Sequence, residues 1–320
     1  MLAGKRPSYQ SEDHLKSALT WLAATTLAAF VVILAAVACG FDVSFAARES
    51  ALAAGVIGGT AAAAVLSRGL LPRISTALGS FSALTFVGAA GGAMSMVGQM
   101  FALPLADDAL AAADKLIGLE TVDVVRFVVQ FPGAPVMLAM LYELSVPLIF
   151  LSVLALACLG RHQRVWELCA AFGFCLLVAT LISMLFPAAG PYEFWGIAAK
   201  YGSQLPRGAG VYFLKDLHAL RGASRLLIDP IHPKGLVTFP SFHTAMALMT
   251  AAAWRTDRYL RGPMIIWNAG VILSAVPIGG HYVVDIIGGA AVWFVIFRFG
   301  PKWNLAIRAP WLRRIVAQPA

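Results

Sequence analysis

Charge is what this chain has least of. Asp, Glu, Lys and Arg make up 12% of its 320 residues, about half of what a soluble domain carries. With 60% hydrophobic residues and a mean hydropathy of +0.79, a water-soluble globule is excluded. Cysteine is scarce as well. Cys39, Cys158, Cys169 and Cys175 all lie in apolar runs, with no spacing that fits a disulfide framework or a metal site, so they read as small core residues. No carboxylate cluster of the kind that holds Mg²⁺ is present, and nothing calls for a metal or another cofactor. Long polar stretches are missing, with residues 187–238 the one exception. The net charge of +8 is distributed between apolar runs, as topology signals are, and excludes nucleic acid as the expected partner.

What the chain does have is apolar length. Stretches occur at about residues 17–39, 50–72, 80–103, 134–159, 165–186, 239–254, 262–278 and 282–299. A bilayer core needs about 20 apolar residues. The expected architecture is therefore an all-α polytopic helix bundle of about eight spans, with six as the other count that keeps both termini on one side. Residues 17–39 end in Ala36-Val37-Ala38-Cys39, a weak likeness to a lipoprotein cleavage box. The run is long for a signal peptide and reads as a retained span. With eight spans, 15 of the 24 Lys and Arg residues fall on the side of the N-terminus, while the opposite short segments hold Arg48, Lys115 and Arg126. That asymmetry predicts both termini in the cytoplasm of a bacterial-type inner or plasma membrane. Three regions follow: spans and an interfacial helix over 1–133, a functional core over 134–300, and a basic cytoplasmic tail over 301–320.

The small residues of the first region (Ala53-Ala54-Gly55, Gly58-Gly59, Gly91-Gly92) favour close helix packing. Residues 104–120 read as an amphipathic helix on the outer surface. Glu143 falls inside the fourth span, where an acid is a candidate for function or for a bond to a neighbouring helix. The segment 187–238 carries Lys200, Arg207, Lys215, Arg221, Arg225 and Lys234. Loops of this length are commonly functional, and Arg pairs bidentately with phosphate oxygens.

Two histidine motifs carry the chemistry: Phe239-Pro240-Ser241-Phe242-His243 and Gly279-Gly280-His281-Tyr282-Val283-Val284-Asp285. In a helix, positions i and i+4 share a face, so Asp285 is placed to accept a hydrogen bond from one ring nitrogen of His281. The other nitrogen is then free as a nucleophile, and His243 is available to protonate a leaving group. Pro240-Ser241 reads as a helix start with Ser as cap, where free N–H groups favour an anion. Gly280 offers backbone that a phosphate can approach. The hairpin through Arg255–Gly262 brings both histidines to one membrane face, the outer one.

At these residues the chain resembles the type 2 phosphatidic acid phosphatase superfamily, and within it the inositolphosphorylceramide synthase-like branch. The resemblance implies His281 as nucleophile, Asp285 as its orienting partner, His243 as the acid, and Ser241 as a phosphate contact. Ser274 fits the opening Ser of the family's third motif, whose following Arg is Ala275 here, as in the synthase-like branch. The family's first motif, with its Lys and Arg, is missing from 187–238. Arg221, Arg225 and Lys234 are the candidates to replace it.

The expected function is that of a metal-independent membrane phosphatase for a lipid phosphate, working through a phosphohistidine at the outer face. Two rivals are a phosphotransferase moving a phospho-headgroup between lipids and a transporter or lipid-binding protein with a decayed site. Internal repeats would mark a transporter, and none is evident.

Overall fold

A computed structural model of the protein describes residues 10–232 and 235–299. It opens with α1 (Gln10–Ala38), β1 (Asp42–Phe45), α2 (Ala47–Ser67) and α3 (Pro72–Met100). Next come the short α4 (Asp107–Ile117) and α5 (Thr121–Val128), then α6 (Ala134–Glu143), α7 (Ser145–Cys158) and α8 (His162–Leu185). The long polar segment folds into α9 (Pro191–Phe194), α10 (Ile197–Tyr201), α11 (Leu214–Arg221) and β2 (Arg225–Ile228). The chain closes with α12 (Phe242–Ala253), α13 (Arg261–Ala275) and α14 (Val283–Phe299).

Ala- and Leu-rich runs with few turn formers become helices because an apolar medium offers the backbone no partner but itself. Among the described residues four helices are long and apolar enough to cross a membrane: residues 18–38 of α1, then α2, α3 and α8. The pair α6–α7, bent by 47°, meets the same test when taken as one broken span, which would bring the count to five. The expected count of eight is not reached on length, because α12, α13 and α14 hold 12, 15 and 17 residues. They are short because the chain around each histidine motif leaves the helix: residues 276–282 form an irregular loop, and α12 begins only at Phe242.

The expectation of an all-helical chain misses one element. β1 and β2 pair in parallel from Asp42↔Arg225 to Phe45↔Ile228, and Arg225 Nε lies 2.7 Å from Asp42 Oδ2. This ribbon ties the long segment to the N-terminal end of α2. A second correction concerns α4. It is a helix as expected, but two of its three acids do not face solvent: Asp107 and Asp114 are 6% and 0% exposed, whereas Leu116 is 90% exposed.

The largest core cluster lies where α3, α7, α8, α12 and α14 meet, around Leu84, Ile149, Leu168, Met246 and Trp254. Small residues bring α3 against α8: a Cβ on Gly91 would stand 2.6 Å from Leu176 Cδ2, and one on Gly98 would stand 2.3 Å from Met184 Cγ. The glycines of α2 play no such part, since Gly55, Gly58 and Gly59 have nothing within 4 Å. At the end of the bundle away from the long segment, Arg161 Nη2 lies 2.7 Å from Asp257 Oδ2 and Arg255 Nη2 lies 3.4 Å from Glu167 Oε2. Arg161 and Arg255 therefore share one end.

The α3–α8 contact generates a test. Gly98→Val should lower the unfolding midpoint in detergent by the equivalent of about 1–3 kcal/mol, the usual range for overpacking. Adding Met184→Ala should recover part of that loss, because the two changes share one space. Independent, additive losses would show that the two helices do not meet there.

Candidate active site

Ser241 is the N-cap of α12, with extended backbone and its Oγ accepting from Thr244 N at 3.4 Å. Its own N–H donates to the Asp285 carbonyl at 3.0 Å, which joins the two histidine motifs through the backbone. Among the described residues no hydrogen bond engages the N–H groups of Phe242 and His243. The first turn of α12 therefore keeps open donors at the positive end of its dipole. Pro240 lies before the cap rather than inside the first turn.

His281 sits two residues ahead of α14, not within it. Even so, its Nδ1 is 3.1 Å from Asp285 Oδ2, and both side chains are buried. The i, i+4 contact survives because Asp285 is the third residue of α14. From there its carboxylate reaches back to accept from Tyr282 N at 2.9 Å, the reciprocal half of a capping box. One carboxylate thus caps the helix and orients the ring, with Nδ1–H donating and Nε2 left free. The second histidine is held by an aromatic partner. His243 Nδ1 is 3.1 Å from the Tyr142 hydroxyl, and the two rings stack at a centroid distance of 4.1 Å. Tyr142 in turn meets Tyr212 Oη at 3.0 Å. His243 therefore also keeps Nε2 for chemistry.

The N-terminal turn of α14 is clasped from outside its own hairpin. Asp114 of α4 accepts from Val283 N at 2.9 Å through one oxygen and from Val284 N at 2.8 Å through the other. Burial pushes the pKa of this carboxyl up, and those two backbone bonds pull it back down. The Thr121 hydroxyl lies 3.2 Å from the His281 carbonyl and 3.4 Å from Asp114 Oδ2. Asp107, two turns earlier on the same face, accepts from Ala189 N, Gly190 N and the Tyr282 hydroxyl at 2.9, 2.7 and 2.8 Å.

Above this loop the long segment packs directly on it. Gly280 takes φ +74°, and a Cβ there would stand 2.6 Å from Gly210 O. Gly210 N donates to Ile278 O at 2.7 Å, and the Tyr192 hydroxyl donates to Pro277 O. What approaches Gly280 is thus the chain's own Gly210. Ser274 is buried on α13, its Oγ donating to Val271 O at 2.7 Å.

The structure does not bring the expected cations to the histidines. Arg221 donates to Leu103 O at 2.7 Å, and Arg225 is engaged by Asp42 at 79% side-chain exposure. Both serve contacts between the long segment and the N-terminal region, because the ribbon carries them away from α12. Lys234 lies outside the described residues. The basic residue that lines a cavity with His243, Tyr142 and Tyr212 is Arg207, and Glu143, at the α6–α7 bend, lines the same cavity.

Sequence reasoning missed Asp107, Asp114, Thr121, Tyr142 and the special place of Arg207. One signal was present. Asp107, Leu110, Ala111 and Asp114 form an i, i+3, i+4, i+7 stripe, so the two acids share the apolar, buried face. Among the described residues no group of three or more His, Cys, Asp and Glu converges as a metal-ligand set.

Asp114→Asn tests the clasp. The amide NH₂ would face a backbone donor and leave it buried without an acceptor, at a cost of about 1–3 kcal/mol. The unfolding midpoint in detergent should fall, whereas Asp108→Asn on the exposed side of α4 should leave it in place. Equal midpoints for the two variants would remove Asp114 from this role.

Neither a curated protein nor a solved structure matches the chain. Residues 108–299, more than half of its 320, match the family model of the PAP2 superfamily. The match starts within α4 and takes in Asp114, Thr121, both histidines and Asp285. With its membrane-length helices and this constellation, the chain is an integral membrane protein with a phosphatase-type site, and it belongs to the PAP2 superfamily.

Proposed function

We propose that the protein is a lipid phosphate phosphatase whose reaction passes through a phosphohistidine on His281. The observation that carries the reading is the buried 3.1 Å contact between His281 Nδ1 and Asp285 Oδ2. It fixes the tautomer and raises the basicity of Nε2. In the first step Nε2 bonds to phosphorus, the bond from phosphorus to the lipid oxygen breaks, and that oxygen takes a proton from His243 Nε2. In the second step water attacks the phosphohistidine and gives its proton to His243 as phosphate leaves. Tyr142 holds the His243 ring through Nδ1, so the same nitrogen serves both steps.

The charge that spreads over the equatorial oxygens needs donors already in place. The open N–H groups at Phe242 and His243, the Ser241 hydroxyl and the Arg207 guanidinium are the groups we assign to it. An alcohol in place of water would make the same site a phosphotransferase of the synthase-like kind.

The chemistry is tested with purified protein and a lipid phosphate, with and without an added alcohol. His281→Ala should abolish phosphate release, and Asp285→Asn should lower kcat about 100-fold or more while the protein stays folded. Orthovanadate, which adopts a five-coordinate form like phosphorus in transfer, should inhibit, and EDTA should not. Undiminished turnover in the His281 variant would refute the mechanism. A phospholipid product that forms only with the alcohol would identify a transferase.

We assign the site to the extracytoplasmic face, from the charge asymmetry of the short segments. In a background with the exposed Cys39 and Cys158 replaced by Ser, Ser203→Cys should react with an impermeant maleimide in intact cells. Arg258→Cys should react only after lysis. The reverse pattern would place the histidines on the cytoplasmic side.

A further inference from the structure

The cavity that reaches His243 is much larger than a phosphate requires. It measures about 730 Å³, in the upper range for a pocket that takes a whole small molecule. Its polar end holds His243, Tyr142, Tyr212, Arg207 and Glu143. From there its wall is apolar, with Leu52 and Val56 of α2, Leu84 and Gly88 of α3, Phe150 of α7 and Leu176 of α8 among the lining residues. Along α3 the lining runs from Leu84 to Ser95, a rise of about 16 Å at the helical repeat. That is about the depth of one leaflet of a hydrocarbon core roughly 30 Å thick.

We infer that this chamber holds a hydrocarbon chain of the substrate lipid, and that α2 and α3, both outside the segment matched to the family, give the enzyme its chain-length selectivity. The inference rests on the phosphatase reading above for the identity of the head group. The arrangement of charge commits it to this occupant. Arg207 and His243 stand at one end, an uncharged wall one leaflet long stands at the other, and a phosphorylated lipid is the ligand with that polarity. A wholly apolar ligand would offer the Arg207 guanidinium no anionic partner.

Gly88 is the position from which to fill the chamber, because a Cβ added there meets nothing within 4 Å. A larger side chain would therefore enter open space without displacing the helix packing. The experiment compares wild type with Gly88→Leu, and with Val56→Trp from the facing α2 wall, in the full chain in lipid nanodiscs. Two quantities are measured for each protein. The first is kcat/KM for dioleoyl and dihexanoyl phosphatidic acid. The second is dioleoyl phosphatidic acid retained after detergent exchange, counted by native mass spectrometry. In both variants the ratio of long-chain to short-chain kcat/KM should fall at least ten-fold, mostly through KM, and long-chain lipid retention should drop in parallel.

An unchanged ratio with unchanged retention in either folded variant would overturn the chamber. Retention lost in the variants, with no turnover by wild type on either lipid, would leave the chamber standing and refute the phosphatase reading. Retention of dioleoylglycerol equal to that of its phosphate would show general lipid occupancy and overturn the assignment to substrate.

Discussion

A helix that begins against other protein must find acceptors for its first N–H groups, and α14 begins beneath the long segment. Asp114 provides both of its carboxylate oxygens for this purpose, and the architecture of the site follows from that bond pair. The acceptor comes from a different helix, so it fixes the end of α14 in space as well as satisfying it. Asp285 is then relieved of part of the capping duty. It can give one oxygen to Tyr282 N and His281 Nδ1 together. The His281 ring is thereby held by the same interactions that start a helix, which couples the local fold to ring orientation.

The same economy extends to α4 as a whole. Asp107 and Asp114 lie two turns apart on its buried face, and between them they hold the turn at Ala189–Gly190, the Tyr282 hydroxyl and the start of α14. A helix of 11 residues thus connects the long segment to the loop of His281. Through these bonds α4 is tied to elements that lie beyond residue 134 in the chain.

Much of this site was legible in the sequence where the partners are close in the chain. The His281–Asp285 pair and the Ser241 cap depend on spacings of four and three residues, and local geometry enforces both. Asp114 was read as a surface acid because its partners are backbone N–H groups about 170 positions away, which leave no trace in residue type. The separation of Arg221 and Arg225 from the histidines was hidden for the opposite reason. Their closeness in sequence to Ser241 was taken for closeness in space, while the parallel ribbon pulls them toward Asp42 and Leu103. That ribbon has four residues per strand, too few for an alternating pattern to stand out. The span count suffered from residues that are apolar yet leave helical structure to build the site.

The meeting of Gly280 and Gly210 bears on how freely this sequence can diverge. A methyl group at Gly280 would fall 2.6 Å from the Gly210 carbonyl, and one at Gly210 would fall 2.4 Å from the ring of Tyr192. Both glycines also have positive φ, so neither position has a tolerated single replacement. Change at either glycine would therefore have to be matched by its neighbour, across 70 positions between Gly210 and Gly280 and 18 between Tyr192 and Gly210.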